Sequence, residues 1–157
     1  MEDFLGEYEV TLDPKGRFLL PAGFKKQLPE DANAQFVMNR GIDKCLTLYP
    51  IKVWEPIIER ISRLNDFEAD ARRFSRRFLS GATKMELDSA GRLLIPQVLK
   101  DYAALERDIV LIARINKIEI WNKTAYDELL NSYEDDAEFS KLASQVMGGN
   151  NIAVPST

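Results

Sequence analysis

Four charged side chains are spaced so that they can act together: Asp13 with Arg17, and Asp88 with Arg92. In Asp13-Pro14-Lys15-Gly16-Arg17 the aspartate, proline and glycine hold the positions that a type I turn prefers, and Asp88-Ser89-Ala90-Gly91-Arg92 repeats the pattern without the proline. An aspartate at the head of such a turn accepts hydrogen bonds from the turn's own N–H groups. The arginine then leaves as the first residue of an apolar run, Phe18-Leu19-Leu20 or Leu93-Leu94-Ile95, which anchors it from behind. Two uses fit this pattern. The guanidinium either reaches out to a polyanion, with Lys15 beside it in the first turn, or folds back on the aspartate as a clip that only braces the fold. A clip would repeat as faithfully as a binding loop, so both uses stand. Catalysis fits less well. The chain has no histidine, which removes the commonest general base and metal ligand. Asp13 and Asp88 are the only paired carboxylates, and both already have turn-structuring work, as do Gly16 and Gly91. No enzyme activity, cofactor or metal is expected.

The elements that must position these turns come in duplicate. Shifted by 75 residues, Gly6 to Pro21 lies over Gly81 to Pro96, and seven of the sixteen pairs are identical, Asp13, Gly16, Arg17, Leu19 and Pro21 among them. Past the turns the shift becomes 72. Leu46, Leu48 and Tyr49 then match Ile118, Ile120 and Trp121, while Trp54, Ile57, Ile58 and Ile61 match Tyr126, Leu129, Leu130 and Tyr133. The second set has the i, i+3, i+4, i+7 spacing of an amphipathic helix in both copies. Each unit reads strand, turn, strand, short helix, strand, strand, helix, with Pro21 and Pro96 as first residues of the short helices. The class this predicts is α+β, with small mixed sheets and short helices.

Between the units, Phe67, Ala71, Phe74 and Phe78 fall within about 60° of one another on a helical wheel, opposite Arg72, Arg73, Arg76 and Arg77. That arginine face suits phosphate, a neighbouring subunit, or plain solvation. Residues 127 to 141 carry six acids against Lys141, a local charge of −5 that would complement it across a head-to-tail contact. Phe139, Leu142, Ala143, Val146 and Met147 mark a C-terminal helix, and the chain from 148 onward has a tail's composition.

Composition narrows the partners. At 157 residues and a formal charge of −4, the chain is not a uniformly basic polyanion binder, so any nucleic-acid contact must be local. Cys45, the lone cysteine, lies in an apolar strand and offers no disulfide within the chain. Met1-Glu2-Asp3 is acidic and no long apolar run follows, from which a cytoplasmic location is expected.

Taken in order, Phe4-Leu5-Gly6-Glu7-Tyr8, Leu12 to Arg17, Ala71 to Ala82 and Leu87 to Pro96 resemble the MraZ family over residues 1 to about 145. The resemblance implies two fused SpoVT/AbrB-like repeats with a barrel-like, pseudo-twofold core: residues 1–64 and 81–133, a connecting amphipathic helix at 65–80, a C-terminal helix at 134–147 and a flexible tail at 148–157. It also implies a regulator of transcription that binds double-stranded DNA at tandem direct repeats, upstream of its own operon in the division and cell wall gene cluster. Ring-shaped self-association and a cytoplasmic, nucleoid-associated location go with that. The family's loop aspartates fall on Asp13 and Asp88 and its DNA-binding residues on Lys15, Arg17 and Arg92. Ala90 departs from the pattern, leaving the second turn without a cation of its own beside its arginine.

Overall fold

The computed structural model describes residues 4–28 and 35–148, and residues 149–157 of the expected tail lie outside them. The first repeat supplies β1 (Glu7–Thr11), β2 (Arg17–Leu19), α1 (Ala22–Lys25), β3 (Gln35–Arg40), β4 (Leu46–Pro50) and α2 (Ile51–Ser62). After α3 (Ala69–Leu79) the second supplies β5 (Thr83–Glu86), β6 (Arg92–Leu94), α4 (Gln97–Tyr102), β7 (Asp108–Arg114), β8 (Lys117–Asn122) and α5 (Lys123–Asn131). A last helix, α6 (Asp136–Met147), follows. By internal contacts the chain divides into residues 1–123 and 124–157.

Within the first unit the repeats exchange strands. The six-stranded sheet runs β1-β7-β8-β4-β3-β5, so each repeat's first strand leaves its own unit and pairs on the other's third. At the centre Thr47 faces Glu119, its own equivalent at the shift of 72, and in the small β2-β6 ribbon Phe18 faces Leu93, its equivalent at 75. A pseudo-twofold therefore passes through both pairings. All these pairings are antiparallel, where mixed sheets were expected, and β1 and β5 end the sheet as separate edges, so no barrel closes among the described residues. The α+β class and the tandem duplication hold.

One core serves both repeats. Phe18, Leu20, Phe24, Phe36, Met38, Leu46 and Leu48 pack with Leu93, Ile95, Leu99, Ile109, Leu111, Ile118 and Ile120. On the opposite side of the sheet Val37, Tyr49, Val53 and Trp54 pack with Phe78 of α3, the Trp54 and Phe78 rings stacked 5.8 Å apart. Asn39 of β3 ties that helix down, its side-chain amide donating to the Phe78 carbonyl at 3.2 Å. Burial raises the proton affinity of the Cys45 thiol, helped by the Glu119 and Asp43 charges, so at neutral pH it is inert.

Three local expectations need correction. Pro21 and Pro96 are the N-caps of α1 and α4, one position earlier than the first helical residue, because their extended ψ of 141° and 143° still belongs to the strand exit. Phe67 is not on the apolar stripe of α3 and is 94% exposed. The Asn65 side chain accepts from the Phe67 N–H, making a turn that holds the chain out of the helix until Ala69. Tyr133 likewise falls beyond the end of α5.

In the second unit α6 is capped by Asp135, whose carboxylate accepts from the Glu138 N–H at 2.8 Å. Its Phe139, Leu142, Val146 and Met147 side chains are exposed.

Helix α4 ends in a Schellman arrangement: the Leu105 N–H donates to the Lys100 carbonyl at 3.0 Å and the Ala104 N–H to Asp101 at 3.1 Å. That closure requires the left-handed region at residue 104, yet an alanine stands there at φ 50°. A left-handed alanine costs about 1 kcal/mol relative to glycine. Ala104→Gly is accordingly expected to raise the stability measured by urea unfolding by about that amount.

Candidate nucleic-acid interface

Each turn is organised by one carboxylate. The N–H groups of Lys15 and Arg17 both donate to Asp13 Oδ1 at 2.9 Å, while Arg17 Nε donates to Oδ2 at 2.7 Å. Asp13 N–H donates back to the Arg17 carbonyl, and Gly16 N–H closes the turn on the Asp13 carbonyl, each at 2.9 Å. The second turn repeats the set: Ala90 and Arg92 N–H on Asp88 Oδ1 at 2.9 and 2.8 Å, and Arg92 Nε on Oδ2 at 3.0 Å. Gly16 and Gly91 stand at φ 87° and 80°, where a side chain is strained, which is why glycine precedes each arginine.

The clip foreseen in the sequence thus exists, but it uses only Nε. Among the described residues no hydrogen bond is made by the terminal nitrogens of Arg17 or Arg92, whose side chains are 28% and 35% exposed. The ion pair fixes where each guanidinium sits and leaves its outer edge available. An ion pair this open to solvent is screened and stabilises less than a buried Phe or Leu side chain does. The Phe18·Leu93 contact beneath therefore holds the ribbon, and the ion pair aims the arginine.

The two turns are also locked to each other. Leu20 N–H donates to the Gly91 carbonyl at 3.1 Å, and Ile95 N–H to the Gly16 carbonyl at 2.9 Å. In the ribbon Arg17 faces Leu94 and Arg92 faces Leu19. Both arginines therefore lie on one face, as diagonal neighbours roughly 7–8 Å apart at the backbone.

Two further cations lie beside these turns. A methyl built on Gly91 would stand 3.3 Å from Lys25 Nζ, so the first repeat's α1 brings a lysine to the second turn, where Ala90 supplies none. Its equivalent at the shift of 75, Lys100, borders the same groove as Asp13 and Pro14, together with Arg107 and Glu106. The identity of Lys25 and Lys100 in the repeat was the available signal. What could not be read without the strand exchange is that each lies beside the other repeat's turn.

The α3 arginines do not join this cluster as a set. Arg72 donates to the Asp66 carbonyl at 2.9 Å and Arg73 pairs with Asp70 at 3.1 Å. Arg76 is exposed, and Arg77 donates to the Tyr102 hydroxyl at 2.9 Å, where Arg40 and Lys44 also stand over the ring. No group of acids, cysteine or histidine able to hold a metal occurs among the described residues, and no helix there is long and apolar enough to cross a membrane.

The model of the antitoxin-like MraZ protein family matches residues 4–77 and again residues 78–147. The chain is 42% identical to the Transcriptional regulator MraZ of Natranaerobius thermophilus over 146 residues, 92% of this chain and 96% of that one. It is 40% identical to the protein of the same name in Christiangramia forsetii, over 97% of both chains. The Cytophaga hutchinsonii protein so named is 40% identical over 92% of this chain and 94% of its own.

Hydrogen bonds from the Arg17 and Arg92 N–H groups are the largest cause that holds the Asp13 and Asp88 carboxyls below their ordinary value of 3.8. A carboxyl lowered by folding stabilises the fold fully above the unfolded value and ceases to do so as pH falls through the folded one. In Asp13→Asn the amide keeps an acceptor but loses the charge. Acid unfolding of that variant, followed by circular dichroism, should depend less steeply on pH below about 4 than the parent does.

Proposed function

Because this chain belongs to the MraZ family, we propose that it is a sequence-specific DNA-binding regulator of transcription, acting as a repressor at tandem direct repeats upstream of its own operon. In this reading the operon lies in the division and cell wall gene cluster, and the protein works in the cytoplasm on the nucleoid. The observation that carries the reading is the pair of reciprocally locked turns, each presenting a clamped arginine on one shared face. Arg17 and Arg92 contact guanine edges, where a bidentate pair discriminates by about 1–3 kcal/mol. Lys15 contacts phosphate beside the first turn, and Lys25 does so beside the second. The names of the relatives, all transcriptional regulators, support the same reading. Residues 1–64 and 81–133 act as the two DNA-binding repeats, joined through 65–80.

One such face is too weak to select a promoter. Self-association into a ring lets several subunits engage successive repeats, and each further engagement becomes effectively intramolecular, multiplying avidity by about 10²–10⁴. The Arg72, Arg73, Arg76 and Arg77 face and the acidic 127–141 segment serve contacts between subunits. A net charge of −4 then works in favour of selectivity, because random DNA meets an overall negative molecule whose attraction is confined to local cationic clusters.

A second reading, in which the turns only brace the fold, draws on the Nε–carboxylate contacts at 2.7 and 3.0 Å. Gel-shift titration with DNA from upstream of the chain's own gene separates the two. Arg17→Ala is expected to weaken binding at least tenfold with little change in thermal unfolding; bracing alone gives the reverse.

Phosphate contacts are read from salt. Lys15→Ala and Lys25→Ala should each flatten the slope of log affinity against log salt by roughly one per bound subunit. An unchanged slope for Lys25→Ala, with a flattened one for Lys15→Ala, would leave the second turn to Arg92 alone.

A further inference from the structure

The outer face of the β2-β6 ribbon carries two leucines that the core does not need. Strand alternation sends Phe18 and Leu93 inward, leaving Arg17, Leu19, Arg92 and Leu94 outside. Leu19 and Leu94 are 58% and 54% exposed, and they are equivalents at the shift of 75. Each leans over the opposite turn: Leu94 Cδ1 stands 3.9 Å from a methyl built on Gly16, and Leu19 Cδ1 the same distance from one on Gly91. Register sets each leucine directly across from an arginine, Leu94 from Arg17 and Leu19 from Arg92. The ribbon thus displays two matched pairs, each a guanidinium with an aliphatic side chain beside it.

Resting on the DNA-binding reading above, we infer that Leu19 and Leu94 are specificity-determining residues that contact the C5-methyl groups of thymines next to the guanines bound by Arg92 and Arg17. A two-stranded ribbon fits the major groove, and there the thymine methyl is the one apolar feature of the base edges. Arg17 stands across from Leu94, and Arg92 with Lys25 beside Leu19, so the partner is a polyanion with apolar points on its surface. Duplex DNA has that chemistry. The two pairs are related by the pseudo-twofold, so the preferred steps run in opposite directions along the two DNA strands.

The test removes the methyl and nothing else. The segment upstream of the chain's own gene is amplified with thymidine or with deoxyuridine triphosphate, and both duplexes are titrated with the full chain at fixed salt. Loss of each buried methyl is expected to weaken binding roughly fourfold, at about 0.8 kcal/mol per group and 1.36 kcal/mol per tenfold, and the uracil duplex removes both. Leu19→Ala and Leu94→Ala should bind the thymine duplex more weakly and each lose its share of the penalty for uracil. Thermal unfolding of both variants checks that these exposed positions leave the fold intact. Equal affinity of the parent for the two duplexes overturns the inference while leaving the arginine reading in place. So does a uracil penalty that the double variant retains in full. Binding of the parent to neither duplex overturns both.

Discussion

The carboxylate at the head of each turn is the constraint from which the rest follows. Oδ1 of Asp13 takes two backbone N–H groups and Oδ2 takes Arg17 Nε, so one side chain fixes the turn's backbone and the direction of its arginine together. The same three donors keep the group ionised and poorly basic, and they occupy both of its oxygens. A general base must be free to reach a proton and poised to hold it. Neither holds here, and Asp88 is engaged in the same way. Under the proposed reading the chemistry of these turns is presentation.

Presentation needs a rigid base, and strand exchange provides it. Had each repeat folded on its own sheet, the two turns would be tied only through the chain between them. Instead Leu20 bonds across to Gly91 and Ile95 across to Gly16, and Phe18 packs on Leu93 beneath. The turns share one small ribbon, so the separation of their arginines is fixed by two strands rather than by a linker. Rigid spacing lowers the ordering cost when two contacts form at once.

Much of this was legible in the sequence, because its signals are local. Turn chemistry reads from five residues, helix periodicity from eight, and the duplication from a shift of the chain on itself. The element order of both repeats came out as the spacing predicts. What stayed hidden depends on residues far apart in the chain. Pairing of β1 with β7 and of β5 with β3 leaves no local mark, since a strand's alternation is the same whichever neighbour it takes. The role of Lys25 at the second turn was hidden for the same reason. Phe67 misled because a helical wheel extends a period as far as the residues allow, while Asn65 ends it with one hydrogen bond.

The pseudo-twofold raises a question about polarity that the differences between the turns answer. A symmetric ribbon reads a site equally well in either direction, which suits inverted sites and leaves direct repeats ambiguous. Here the symmetry is broken at the rim: Pro14 and Lys15 stand where the second turn has Ser89 and Ala90. The inner pairings, Phe18 on Leu93 and Thr47 across Glu119, keep the strand register near symmetry, while the turns differ in the side chains they offer. Under the proposed reading that is the arrangement direct repeats require. A symmetric base sets the spacing, and the different placement of the ammonium groups, on Lys15 within the first turn and on Lys25 of α1 beside the second, sets the direction, since reversing the chain on its site would exchange them.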